Sequence, residues 1–136
     1  MLTGIDHVQL AAPPGCEPAA RRFFGETLGL QEIEKPAELS ARGGVWFRCG
    51  SQEIHIGVEE GFSPARKAHP AFHAGDYDAL LQRLREAEIE VVEDDAIPSL
   101  RRCFVSDPFG NRIELLASLI EGAQPADNQT DARPLP

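Results

Sequence analysis

Positive charge is scarce in this chain. Thirteen Lys and Arg stand against 22 Asp and Glu, a formal net charge of −9 at pH 7. Basic residues gather no more densely than doublets such as Arg21-Arg22 and Arg101-Arg102. Nucleic acid and anionic membrane both demand a positive footprint, so neither is an expected partner. Long apolar runs are missing too, and none approaches the ~20 residues of a membrane span. The first residues show no basic region followed by an apolar stretch, which leaves a cytoplasmic location as the expectation. Cysteine is sparse: Cys16, Cys49 and Cys103 are odd in number, far apart and without C-x-x-C spacing. That excludes a disulfide framework and reads as reduced thiols, with Cys49 and Cys103 packed in strand cores.

What remains is an ordinary globular composition. Of 136 residues, 42% are apolar, enough for one domain, or for two small half-domains sharing a core, without a stapling disulfide. Ile5 to Leu10 reads as a short strand closed by Pro13-Pro14. Pro18 suits a first helical turn, and Ala20, Phe23, Phe24, Thr27 and Leu28 fall on one helical face, with Gly29 placed to stop it. After a polar stretch, Gly44–Cys49 and Glu53–Val58 flank Gly50-Ser51-Gln52 as a hairpin. The pattern then returns. His69 to Ala74 is strand-like, and Asp76 is a good N-cap for a helix carrying Tyr77, Leu80, Leu81, Leu84 and Ala87. Ile89 to Val92 reads as a strand, and a second hairpin folds across Asp107-Pro108-Phe109-Gly110-Asn111. Strand, helix and a group of strands thus occur twice, with His7 and His69 opening the halves 62 residues apart. Internal duplication is the simplest account. The expected class is α+β, built of tandem βαβββ modules at about residues 3–60 and 67–118 within a domain of residues 1–121. Residues 122–136, rich in Pro, Ala, Asp and Asn, read as a tail.

Four residues interrupt the apolar strand patterns: His7, His55, His69 and Glu114. Neutral imidazoles with one carboxylate suit Zn, Ni, Fe or Mn, where an all-oxygen set would suit calcium or magnesium. The competing reading, hydrogen-bonded core or surface histidines, is open on pattern alone. His73, four residues beyond His69, shares its strand face but lies about 13 Å further along. That suits a substrate contact or proton shuttle, or a rim histidine, rather than a metal ligand. Trp46 with Arg48, and Arg102 with Phe104, pair an aromatic with a cation on one strand face, a combination that could bind a planar or anionic substrate. Equally, the aromatics belong to the core and the arginines to surface ion pairs.

Three segments resemble the vicinal oxygen chelate superfamily of glyoxalases, bleomycin resistance proteins and dioxygenases. They are Thr3-Gly4-Ile5-Asp6-His7-Val8-Gln9-Leu10, Phe23-Phe24-Gly25-Glu26-Thr27-Leu28-Gly29-Leu30, and Asp107-Pro108-Phe109-Gly110-Asn111-Arg112-Ile113-Glu114. The last is the most specific, close to D-P-x-G-N-x-I/L-E. The resemblance spans about residues 3–117. It implies paired βαβββ modules forming a cupped sheet around one divalent metal, and a homodimer. Matched position by position, His7 and His69 correspond to ligands on the first strand of each module, and Glu114 to the carboxylate of the last strand. His55 falls at the variable fourth position. Gln9, a two-residue step from His7, would share its face and orient substrate or a metal-bound water. Trp46, Arg48, His73 and Phe104 complete the expected substrate contacts.

The family's shared chemistry is a metal that accepts adjacent substrate oxygens and stabilises the anion that forms. The His/His/Glu set argues against the bleomycin-binding type, which lacks it. Fosfomycin thioltransferases carry Thr where this chain has Gln9, Tyr where it has Phe104, and a basic residue where it has Asp94. Glyoxalase I would want a carboxylate at position 55. The expectation is a metal-dependent small-molecule enzyme, a lyase, isomerase or dioxygenase. The alternative is a non-catalytic binding protein that captures a small ligand.

Overall fold

The computed structural model describes residues 1–118, which divide into two compact units. One comprises residues 1–70 with 106–113, the other residues 71–105 with those from Glu114 onward. The expected tail, 122–136, lies outside the described residues. The class is α+β, with two four-stranded mixed sheets and few helices. Among the described residues no helix is long and apolar enough to cross a membrane.

The first unit opens with β1 (His7–Ala12), which runs two residues past the expected end before Pro13 stops it. Helix α1 (Glu17–Ala20) has Pro in its first turn and continues as a wider π-helical turn over Arg21–Thr27. The sequence pattern predicts one continuous α-helix here. The wider turn reduces the angle between successive side chains, so the neighbours Phe23 and Phe24 both reach the core, 4% and 0% exposed. Gly29, at φ 78°, ends the helix. Strands β2 (Gln31–Ile33), β3 (Val45–Cys49) and β4 (Gln52–Val58) follow, with a 3-10 turn over Ala37–Arg42 between β2 and β3. In the sheet the order is β1-β4-β3-β2, with β1 parallel to β4 and the other pairs antiparallel. β2 lies within what the sequence shows as a polar stretch. Three residues with one apolar side chain carry no alternation to detect, and the free edge of β3 recruits them.

Register assigns the faces. Val8, Leu10, Val45, Phe47, Ile54 and Ile56 pair with one another across β1, β4 and β3, and Phe24 packs on Phe47 with ring centroids 5.8 Å apart. This is the helix-covered face. His7, Gln9, Trp46, Arg48, Glu53, His55 and Gly57 pair on the opposite face.

From Ala71 on the order of strands and helix repeats. β5 (Ala71–Ala74), α2 (Tyr77–Glu86), β6 (Val92–Asp94), β7 (Arg102–Ser106) and β8 (Arg112–Ala117) give a sheet ordered β5-β8-β7-β6. The Asp76 side chain caps α2 by accepting from the Ala79 amide at 3.0 Å. Tyr77, Leu81, Leu84, Cys103, Val105 and Leu115 are all buried. β6 begins at Val92, where the sequence reading starts it at Ile89. Ile89 instead closes the helix end, its amide donating to the Leu84 carbonyl at 2.9 Å while Glu88 adopts φ 58°. β5 begins at Ala71, not at His69. Pro70 has no N–H to give a ladder, so His69 stands in the approach to the strand. The three cysteines are free, and burial pushes the Cys49 and Cys103 thiols up, which suits packing rather than nucleophilic chemistry.

The Asp107–Asn111 turn explains its own motif. The buried Asp107 carboxylate accepts from the amides of Phe109 (2.9 Å) and Asn111 (2.8 Å) and from Asn111 Nδ2 (2.8 Å). Gly110 supplies φ 93°. Asn111 Nδ2 spends its second hydrogen on the backbone carbonyl of Ala11 in β1, at 2.8 Å. Burial pushes the Asp107 carboxyl above its ordinary range, and these donors pull it back. Asn111→Ala leaves a buried carboxylate and a strand carbonyl short of a donor. The expected loss is about 1–3 kcal/mol, read as a lower urea midpoint with an unchanged slope.

Candidate functional site

On the open face of the first sheet three rings form one stack across three strands. Trp46 and His55 are register partners, stacked with centroids 3.6 Å apart and planes 3° from parallel. His7 covers the other side of His55 at 4.1 Å and 17°. That sandwich makes His55 only 4% exposed, while the His7 side chain keeps 42% of its surface. Gln9 pairs with His55 in register. Its amide lies over Gly57, where a Cβ would come within 2.7 Å of Gln9 Nε2, so Gly57 makes room for it.

Each histidine of the first unit carries an oxygen partner. His7 Nδ1 is 2.8 Å from Asp6 Oδ2, and His69 Nδ1 is 2.7 Å from the Lys67 carbonyl. A carbonyl only accepts, so His69 Nδ1 carries the proton in this contact. For His7 the carboxylate favours the same tautomer. A metal-binding histidine is oriented in this way, with one ring nitrogen tied to an oxygen. His55 is tied in the opposite sense, with Nε2 2.9 Å from Glu53 Oε1. As donor chemistry, the imidazoles of His7 and His69 suit a borderline divalent metal, and His55 packs behind His7.

The second unit holds the carboxylate. Glu114, 8% exposed, lies on the open face of its sheet together with its register partner Ala71 and with His73, which is two residues further along β5. Arg102 Nη1 reaches Glu114 Oε1 at 3.4 Å, and Nη2 reaches Asp94 Oδ2 at 3.3 Å. The guanidinium carbon stands 5.5 Å from the Phe104 ring centroid. A cavity of about 390 Å³ beside β6 and β7 is lined in part by Asp94, Arg101 and Arg102, and none of the candidate ligands borders it. Among the described residues no three His, Cys, Asp or Glu side chains form a ready-made metal cage.

Within the first unit the fold brings together His7, His55, Gln9 and Trp46, with Arg48 opposite Glu53. Within the second it brings together Glu114, Arg102 and Phe104. Asp6, Glu53 and Asp94 escape the sequence reading as partners of these groups. For Asp6 and Glu53 the signal was present as a carboxylate one or two residues from a histidine, indistinguishable there from surface acid.

The family model of the glyoxalase/bleomycin resistance protein/dioxygenase superfamily matches residues 4–115. The chain belongs to this superfamily. A glyoxalase family protein from Bacillus anthracis is 58% identical, with a TM-score of 0.84 over 87% of this chain and 97% of that one. A glyoxalase/dioxygenase from Nostoc punctiforme is 25% identical, with a TM-score of 0.70 over 85% of this chain and 90% of that one. The fosfomycin resistance protein FosX from Listeria monocytogenes, solved as a point mutant complexed with Mn(II) and 1S,2S-dihydroxypropylphosphonic acid, shares the fold. It is 18% identical, with a TM-score of 0.73 over 87% of this chain and 94% of that one. No curated protein matches the sequence. Superfamily membership accounts for the repeated βαβββ order and for the Asp107–Glu114 segment, whose Asp and Asn build the turn while Glu114 faces the open side.

Proposed function

We propose that this superfamily member is a metal-dependent small-molecule enzyme, a lyase, isomerase or dioxygenase, with His7, His69 and Glu114 as the ligands of one divalent ion. The observation that carries the reading is the pair of imidazoles, His7 and His69, each tied through Nδ1 to an oxygen, as metal-binding histidines are. Zn, Ni, Fe or Mn suits that set, and the Mn(II) in the FosX structure adds support. When bound, such an ion supplies Lewis acidity to adjacent substrate oxygens. Three protein donors leave room for them.

The chain's own residues do the rest. Glu114 contributes the anionic ligand. Gln9 offers its amide beside His7 to orient a substrate oxygen. The Trp46 indole and the Phe104 ring give flat apolar contact, and Arg48 and His73 lie on the same open faces as these groups. His55, stacked on His7, tunes the metal site more than it builds it. The domain works as one, residues 1–121, in a soluble homodimer in the cytoplasm.

Metal analysis of protein purified without chelator tests the reading. One tightly held transition metal per chain is expected, and a metal-free protein that still captures small ligands would favour the binding-only alternative. Assembly is tested separately. Light scattering at micromolar concentration should give twice the chain mass, and a monomer would refute the dimer.

A further inference from the structure

The ring stack on the open face of the first sheet begins two strands away from His7. Trp46 of β3 and His55 of β4 are register partners in an antiparallel pair, and such partners stand about 4.5–5.5 Å apart at Cβ. Strand register therefore sets the two rings face to face, 3.6 Å between centroids and 3° between planes. On its other flank Trp46 is paired with Ile33 of the edge strand β2. His55 is held from three directions. The indole covers one face, His7 covers the other at 4.1 Å and 17°, and Glu53 Oε1 lies 2.9 Å from Nε2. At 4% exposure the ring has no room to tilt. His7 is less confined. Its side chain is 42% exposed, and a histidine ring turns about a broad torsion at χ2. The Asp6 contact fixes one nitrogen of His7, but a bond to a single atom does not fix a plane. The flat surface that sets this plane is His55, and Trp46 is what keeps His55 in place.

We propose that Trp46 is a positioning residue for His7, acting through His55. The indole and the Glu53 carboxylate hold the His55 ring, and that ring fixes the plane in which His7 meets a metal. This rests on the metal reading of His7 given above. The gain is preorganisation, since a ligand ring already held in one orientation loses less freedom on binding. Losing a group that orients a metal-binding histidine costs about 10–100-fold in affinity. Trp46 stands one ring removed from His7, which puts it at the lower end of that range. One face of the indole is committed to His55, and the rest of the ring is left for substrate.

Zn(II) and Mn(II), each alone, are the probes, with affinity read by competition against a chromophoric chelator. Trp46→Leu should weaken binding about ten-fold, and Trp46→Phe, which restores a flat ring, should recover most of the loss. Glu53→Ala tests the same device from a side chain 32% exposed, where folding is not at stake, and should also weaken binding. Phe47→Leu is the control. It removes a ring from the same strand on the helix-covered face, where Phe47 is fully buried, and should lower the urea midpoint without changing metal affinity. A second readout needs no metal. In proton NMR of the metal-free protein the His7 ring signals, assigned by their absence from His7→Ala, should carry ring-current shifts from the stack. Those shifts should collapse in Trp46→Leu and persist in Phe47→Leu. Wild-type affinity in folded Trp46→Leu, or in Glu53→Ala, would overturn this inference alone. So would an equal loss of affinity in Trp46→Leu and Phe47→Leu, a Trp46→Phe protein no better than Trp46→Leu, or His7 signals that do not move. Wild type that takes up neither ion would overturn the metal reading and this inference with it.

Discussion

His7→Ala is expected to leave the protein nearly metal-free, and Glu114→Ala to do the same, while both remain folded. The argument starts from environment. His7 sits on the open face of β1 with 42% of its side chain exposed, so its removal opens no core cavity. Its Nδ1 contact with Asp6 at 2.8 Å orients the ring, and a partner of that kind contributes about 10–100-fold to metal affinity. Losing the ligand itself should exceed that range, whereas Asp6→Ala, an exposed partner, should sit at its lower end. His69→Ala should resemble His7→Ala. His55→Ala is the informative contrast. Its Nε2 is committed to Glu53 and its ring is closed between Trp46 and His7, so metal should be retained with weakened affinity. Competition against a chromophoric chelator measures all five variants. Equal metal content in wild type and His7→Ala would sink the ligand assignment. A His55→Ala protein as metal-free as His7→Ala would make His55 a full ligand.

The largest effect on stability is expected from Gly44→Ala. Gly44 adopts φ 88°, and a Cβ built there meets the Ile56 carbonyl oxygen at 2.1 Å. That oxygen is backbone in β4, so no side chain can swing away to relieve the clash. The Gly44 amide also donates to Glu17 Oε1 at 3.0 Å, a bond that holds the Glu17 carboxyl below its ordinary range, so backbone movement at 44 loosens the start of α1 as well. Strain and steric displacement together should cost on the order of 3–5 kcal/mol. At this chain length that is roughly 10–20 °C in Tm, a large share of the ~5–15 kcal/mol of a typical domain. Gly50→Ala separates the two causes. Gly50 has φ 59° but nothing within 4 Å of a built Cβ, so only the conformational part, about 1 kcal/mol, should be lost there. Equal Tm shifts for the two variants would show that the contact with Ile56 does not matter.

The sequence by itself determined the repeated strand–helix–strands order, the first hairpin, the Asp76 cap and the Asp107–Asn111 turn. Each is carried by local rules, a two-residue alternation, a helical spacing or a turn residue needing its own φ, that act over a few neighbours. It also nominated His7, His55, His69 and Glu114, because a polar residue that interrupts an apolar pattern stands out. Tertiary structure decided the rest. β2 exists because β3 offers it an edge, and β5 starts late because Pro70 cannot donate. The stacking of Trp46, His55 and His7, residues up to 48 positions apart, follows from register between strands, which no local pattern encodes. The same holds for Arg102, which looks in the sequence like one of two surface arginines. Pairing of β6 with β7, and of β7 with β8, set it between Asp94 and Glu114. Periodicity can say which side of a strand a residue occupies, but only the assembled sheet decides what lies beside it.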